Sequence, residues 1–213
     1  MCGQVEMEFL MQRLESIYPI EVTEDLSLVD QWCAIDVETG GLDCMRHALL
    51  SVAVFIPGEG TETIYIKPEG EVTEEALAIN HIDLQDCAHG CSRDWAGKWF
   101  ARKVCGRAIV GHSVVFDLGF MLWRLYRLPP SPESAALMGC LRVVDTYRLA
   151  KAEWPDAKHD LATSAKQAGL DIVAPSRLHT ARYDAELCGG VMAYFMAKRG
   201  SFMVRRESNA ESD

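Results

Sequence analysis

Nowhere in the 213 residues does an apolar run approach the roughly 18 needed to cross a bilayer, which excludes a membrane-spanning helix. The first residues, MCGQVEMEFLMQRL, lack a basic segment followed by an apolar run and a cleavage site, so a soluble, cytoplasmic protein is expected. Positive charge is also scarce. With 31 Asp and Glu against 21 Lys and Arg, the net charge is −10, which argues against a chain that grips long duplexes through many phosphate contacts. It leaves open an enzyme that meets nucleic acid at one small site. There is no internal repeat. The eight cysteines, at 2, 33, 44, 87, 91, 105, 140 and 188, do not form a disulfide framework and are read mostly as reduced thiols. Cys87-x-His89-x-Cys91, with His81 nearby, invites a zinc reading but matches no common zinc-finger spacing, so zinc there is the minor alternative.

What is present suffices for a core. Apolar residues make up 49% of the chain, enough for one domain with short additions. Val5, Phe9, Leu10, Leu14 and Ile17 recur near helical spacing, so residues 1–30 read as a helical extension that packs on the body or binds a partner. Residues 31–198 read as the main domain and 199–213 as a flexible tail. Within the domain, WCAIDVETG is a buried strand ended by glycines, and LLSVAVFI (49–56) and TIYIKP (63–68) continue as a meander. Helices are expected from about Thr73, over 94–105, over 114–128 before Pro129, over 159–170 and over 180–198. AIVGHS (108–113) and the start of LRVVDTYRLA (141–150) supply further strands. Strands first, then strands alternating with helices, predict an α/β fold with a mixed central sheet flanked by helices.

The chemistry starts at Asp36 and Glu38. Residues i and i+2 of a strand share a face, so the two carboxylates emerge together near the strand's C-terminal end, where their burial needs a cation. A lone Asp-x-Glu also occurs as a plain strand-end pair, so further acids are required. Asp117 interrupts the apolar stretch GHSVVFDLGFM, where a buried acid has no structural excuse, and Asp184 sits early in the last helix, a place the helix dipole also favours. Four acids from three segments form a hard oxygen site suited to two Mg²⁺ or Mn²⁺ ions, an arrangement that can hydrolyse a phosphodiester. His179, five residues before Asp184 and just outside the last helix, is within reach of an attacking water as general base, although a loop histidine by itself reads as a surface residue.

DVETGGLD (36–43), GHSVVFD (111–117) and HTARYD (179–184) resemble, in this order, the three motifs of the DnaQ-like 3′-to-5′ exonucleases with four acids and a catalytic histidine. VVDT (143–146), HDLATSAKQAGLD (159–171) and EALAINHID (75–83) extend the similarity, which is particularly close to the ribonuclease T branch. The resemblance implies a ribonuclease H-like fold and stepwise removal of nucleotides from single-stranded DNA or RNA 3′ ends. Asp36 would bridge both ions, Glu38 and Asp184 would hold the water-activating one, Asp117 would support the second, and His179 would take the proton. Thr39 and Leu42 would touch the terminal nucleotide, Phe116 would stack on a base and Glu75 would hydrogen-bond one. The chain departs from ribonuclease T where Leu42, Ile79 and Val144 replace aromatic residues. His112 either braces its motif or takes a minor substrate role, and Lys98, Arg102, Lys103 and Arg107 form either a phosphate-binding stripe or a solvated helix face. Trp95, Trp99 and Trp123 read as core. Two partner arrangements fit the resemblance, a homodimer and a proofreading subunit bound to a polymerase. A non-catalytic nucleic-acid-binding protein of the same fold is the remaining alternative.

Overall fold

Strands that are apolar on both faces must be covered on both sides, and the architecture follows from that requirement. The computed structural model describes residues 20–125, 141–172 and 177–210. In chain order these residues form β1 (Ile20–Val22), a 3₁₀ turn (Leu26–Leu28), β2 (Trp32–Thr39), β3 (Leu49–Ile56) and β4 (Gly60–Tyr65). Then come α1 (Glu74–Asn80), α2 (Leu84–Ala88), α3 (Arg93–Val104), β5 (Ala108–Gly111) and α4 (Val114–Phe120), which runs into a π-helical turn (Met121–Leu125). β6 (Leu141–Asp145), α5 (Thr146–Glu153), α6 (Leu161–Gln167) and α7 (Ala181–Ala210) complete the order.

The strands make one mixed sheet in the order β1-β6-β5-β2-β3-β4. β1, β6, β5 and β2 run parallel, while β2, β3 and β4 form the antiparallel meander. One face carries Cys33, Ile35, Val37, Val52 and Val54, packed with Trp99 and Phe100 of α3 and Leu118 and Phe120 of α4. The opposite face carries Ala34, Val110 and Val144 under Tyr183, Leu187, Cys188, Val191 and Met192 of α7. Gly189 lets α7 lie close, because a Cβ there would stand 2.4 Å from the Phe55 ring. This is the expected α/β arrangement of a mixed sheet flanked by helices.

Several local expectations change. β4 starts at Gly60 rather than 63, because the hairpin closes on an Ile56–Gly60 pair through Gly58, which has positive φ. The sheet takes in Ile20–Val22, which was assigned to the extension, and the last helix continues to Ala210 instead of ending at 198. The Arg199 guanidinium donates to the carbonyls of Leu26, Ser27 and Val29, tying the 3₁₀ turn to α7. The helical spacing from Val5 to Ile17 and the end of the helix expected over 114–128 lie outside the described residues. Trp99 is buried and Trp123 packs on the core, but Trp95 is 47% exposed in the first turn of α3 and is not a core residue. Two cations of the proposed stripe are occupied by β4-side acids, Lys103 with Glu62 and Arg107 with Glu59 at 3.1 Å. Lys98 and Arg102 are exposed.

The six described cysteines are free. Cys87 and Cys91 donate their S–H groups to the carbonyls of Leu50 and Tyr65 at 3.6 and 3.2 Å, and His89 Nδ1 lies 2.7 Å from the Gln85 carbonyl. Each of these three groups bonds to the backbone. Among the described residues no helix is long and apolar enough to cross a membrane.

Candidate active site

The C-terminal ends of β2, β5 and β6 lie along one edge of the sheet, and each ends in polar residues: Asp36 and Glu38, His112 and Ser113, and Asp145. Asp36 and Glu38 point to the α7 face, as the two-residue period of the strand requires. A register shift after Glu38 moves the pairing from Glu38–Ser51 to Thr39–Leu49 and ends the regular ladder. The strand end is then pinned from outside, as Asn80 Nδ2 donates to the Thr39 carbonyl at 3.1 Å and Gly40 N–H donates to the Ala48 carbonyl at 2.8 Å.

Asp117 enters where β2 loses its neighbour. The last β2–β5 pair is Ala34–Val110, and beyond it the Val37 N–H donates to Asp117 Oδ1 at 3.2 Å. Asp117 is only 5% exposed, as expected for an acid on the buried face of its helix. Asp184 comes from the first turn of α7. His179 just before it adopts a left-handed conformation (φ 62°), which turns its N–H onto Asp184 Oδ2 at 3.0 Å while the His179 residue stays exposed.

Asp36, Glu38 and Asp184 each place a carboxylate oxygen so that all three lie within 4.8 Å of one another, the one such group of potential ligands among the described residues. Asp117 stands outside that trio but acts on it electrically. Burial, then the charges of Asp117, Glu38 and Asp184, holds the Asp36 carboxyl well above the ordinary range. Burial followed by Asp184 and Asp117 pushes Glu38 up to about 9. Asp117 is raised mainly by burial, and Asp184 is pushed by burial to about 6 against the opposing pull of the His179 N–H and ring. Like charges held this close call for a cation. Asp184 Oδ1 is buried without a hydrogen-bond partner, so one acceptor in the cluster is left unsatisfied by the protein. Oxygen-only donors, mutual repulsion and an orphaned carboxylate oxygen fit a hard divalent cation.

The other expected residues are distributed unevenly. Leu42 is 84% exposed and Ile79 is also exposed, so both present apolar faces to solvent beside the strand end. Glu75 is exposed in the first turn of α1. Thr39 is buried and its hydroxyl donates to the Gly41 carbonyl at 2.7 Å. Phe116 is half-buried, with its ring 5.0 Å from that of Phe120. Val144, which replaces an aromatic residue of ribonuclease T, is fully buried under α7 and is a core position. His112 braces, since Nε2 donates to the His159 carbonyl at 2.6 Å and Nδ1 lies 3.0 Å from Thr146 Oγ1.

Sequence reasoning passed over Asp145 as a component of the site. This buried acid accepts from the N–H groups of Ser113 and Tyr147 at 3.0 and 2.9 Å, and its charge helps to raise Asp117. Its signal was an acid closing an apolar strand and capping the next helix, which reads equally well as a simple N-cap.

A family model described as exonuclease and named for ribonuclease T matches residues 33–192. The chain is 27% identical to the DNA polymerase III epsilon subunit of Pasteurella multocida, over 60% of this chain and 49% of the relative. It is 26% identical to ribonuclease T of Escherichia coli, over 87% of each. A DNA polymerase III PolC-type protein of Lacticaseibacillus paracasei is 27% identical, but the match covers 13% of it. The chain thus spans about half, or much less, of several curated relatives. Among solved structures, exonuclease X in complex with 5′-overhanging duplex DNA aligns with TM-score 0.60 at 22% identity, over 79% of this chain and 93% of that one. Escherichia coli exonuclease I in complex with a dT13 oligonucleotide aligns with TM-score 0.65 at 17% identity, over 83% and 43%. These two likenesses bear on the fold.

Proposed function

The chain belongs to the exonuclease family named for ribonuclease T, and on that premise we propose that it is a metal-dependent 3′-to-5′ exonuclease acting on single-stranded DNA or RNA ends. The observation that carries this reading is the trio Asp36, Glu38 and Asp184, with ligand oxygens within 4.8 Å of one another and the buried Oδ1 of Asp184 unpartnered.

In this reading Asp36, Glu38 and Asp184, with Asp117 beside them, hold two Mg²⁺ or Mn²⁺ ions. Bound there, such ions activate water and stabilise the charge that develops on a phosphodiester during hydrolysis. The protein's own groups do the rest. The His179 main chain fixes Asp184 through its N–H, which leaves the exposed imidazole free to accept the proton of the attacking water at a ring nitrogen. Leu42 and Ile79 offer apolar faces to the terminal nucleotide without regard to base identity, and Glu75 can accept a hydrogen bond from a base edge. Phe116, half-buried beside Phe120, is the aromatic side chain this reading assigns to stacking on a base. Thr39 holds the turn at Gly41 that leads to Leu42.

The similarity to the epsilon subunit supports a second reading, a proofreading exonuclease that works docked to a polymerase. Co-purification with a polymerase catalytic subunit favours that reading, and a self-associated species in sedimentation favours the homodimer.

The direct test follows 5′-labelled single-stranded DNA and RNA oligonucleotides with Mg²⁺, Mn²⁺ or chelator, beside Asp36→Asn. The expected result is a metal-dependent ladder that shortens from the 3′ end and disappears in the folded variant. Equal cleavage by Asp36→Asn rules out the proposed site.

A further inference from the structure

We infer that Tyr147 is a stacking platform for an unpaired base on the 5′ side of the scissile linkage. The inference rests on the proposed exonuclease reading and assigns a substrate contact that the resemblance does not supply.

In open sheets with parallel strands, ligands bind outside the carboxyl ends of those strands. Here that edge runs from the end of β2, past β5, to the end of β6. On the β3 side it is flanked by exposed Leu42 and Ile79, which the proposed reading assigns to the terminal nucleotide. β6 lies two strands away from β2, about 10 Å at ordinary strand spacing, so a group at its end meets a more distant nucleotide of the same strand. Val144 cannot make that contact, because it is fully buried. Tyr147, three residues on and in the first turn of α5, is 37% exposed.

The ring is also held in place. His112 and His159 each meet it at 5.9 Å between centroids, with interplanar angles of 81° and 82°. Both imidazoles are themselves anchored to the main chain, His112 through Nε2 donating to the His159 carbonyl and His159 through Nε2 donating to the Trp154 carbonyl. The Tyr147 N–H donates to Asp145 Oδ1, the same oxygen that accepts from Ser113, so the platform shares its anchor with the turn that leads into the Asp117 helix. A ring whose plane is already fixed loses little conformational freedom when a base stacks on it. Arg148, next in the chain, is exposed and carries positive charge on a protein of net charge −10.

The test compares wild type, Tyr147→Ala and Tyr147→Phe on a dinucleotide and on a long single-stranded oligonucleotide, with melting temperatures measured alongside. Tyr147→Ala is expected to raise KM for the long substrate by about 5- to 150-fold, the range for losing one base stack, with kcat and the dinucleotide reaction unchanged. Tyr147→Phe should behave as wild type. An unchanged KM overturns the inference. So does an equal loss on both substrates with lower kcat, because that marks Tyr147 as a brace for His112 and Asp145 alone. If wild type fails to cleave with either Mg²⁺ or Mn²⁺, the exonuclease reading falls. Fluorescence anisotropy of the labelled long oligonucleotide in chelator then decides the platform separately: a Kd raised by the same factor in Tyr147→Ala supports it, and equal Kd values or no binding by wild type overturn it.

Discussion

Cation binding at this site should expel protons, and the number can be worked from the carboxyl environment. Near 9, the Glu38 carboxyl is protonated at neutral pH in the metal-free protein, whereas Asp184, near 6, is mostly ionised. Asp36 is also held well above the ordinary range. A ligating carboxylate must give up its proton, so binding at pH 7 releases at least the one on Glu38. With that group two units above pH 7, displacement of its proton weakens the apparent cation affinity by about a hundredfold, about 2.7 kcal/mol. Affinity should therefore rise about tenfold per pH unit from neutrality toward 9 for each proton released. Titration calorimetry with Mn²⁺ in buffers of different ionisation enthalpy at fixed pH reads the proton count directly, and Glu38→Gln should lower it by one. Zero protons released, together with an affinity that does not change with pH, would refute the account of a cluster kept neutral by burial and repulsion.

Three further outcomes follow from the same geometry. Because His179 has positive φ, His179→Asn keeps a residue that tolerates the left-handed turn and preserves the N–H to Asp184; kcat should fall about 10²- to 10⁴-fold and recover in part in alkaline solution, and a loss of only a few-fold would remove the base role. For Glu38, the folded-state value lies above the unfolded one, so its contribution to stability is present below about 4.5 and is lost as pH rises through about 9. Thermal melts without metal should show this decline in wild type and less of it in Glu38→Gln, and parallel curves would contradict the assigned burial. Asn80→Ala removes the bond to the Thr39 carbonyl and orphans the Ile82 N–H, at a cost of about 1–3 kcal/mol; the melting temperature should fall by several degrees, and an unchanged melt would show that the strand end is held elsewhere.

The elements that sequence defined best were those whose burial is symmetrical. β3 matches the expected run over 49–56 to the residue, because both of its faces are covered and the apolar stretch has sharp ends. The helix start at Thr73 was legible through its side-chain oxygen, which accepts from the Ala76 N–H, and the helix expected from 159 is capped one residue on by Asp160, which accepts from the Thr163 N–H. Three-residue β1 and five-residue α2 left no periodic signal, and the π turn after Phe120 keeps the apolar pattern of an ordinary helix. In the site, the shared face of Asp36 and Glu38 follows from strand period, and Asp117 stood out as an acid among apolar neighbours. The burial of Val144 was not legible, since an apolar residue at the end of a parallel strand suits a substrate wall as well as a core.

One arrangement joins these observations. Three of the buried carboxylates commit an oxygen to a backbone N–H: Asp117 to Val37, Asp184 to His179, and Asp145 to Ser113 and Tyr147. Such bonds lower a carboxyl's proton affinity and so oppose the burial that raises it. They also set the direction of each second oxygen before any ligand arrives. In Asp184 that second oxygen is the buried, unpartnered Oδ1. The donors are supplied by the points where the chain leaves regular pairing: β2 beyond its last contact with β5, the left-handed residue before α7, and the left-handed Ser113 before α4. For the orientation of the acids, as distinct from proton transfer, a side chain at those positions matters less than the backbone geometry it permits. Substitutions that spare the acids but restore ordinary φ at His179 or Ser113 should therefore disorganise the cluster, and the proton count on cation binding is the quantity that would reveal it.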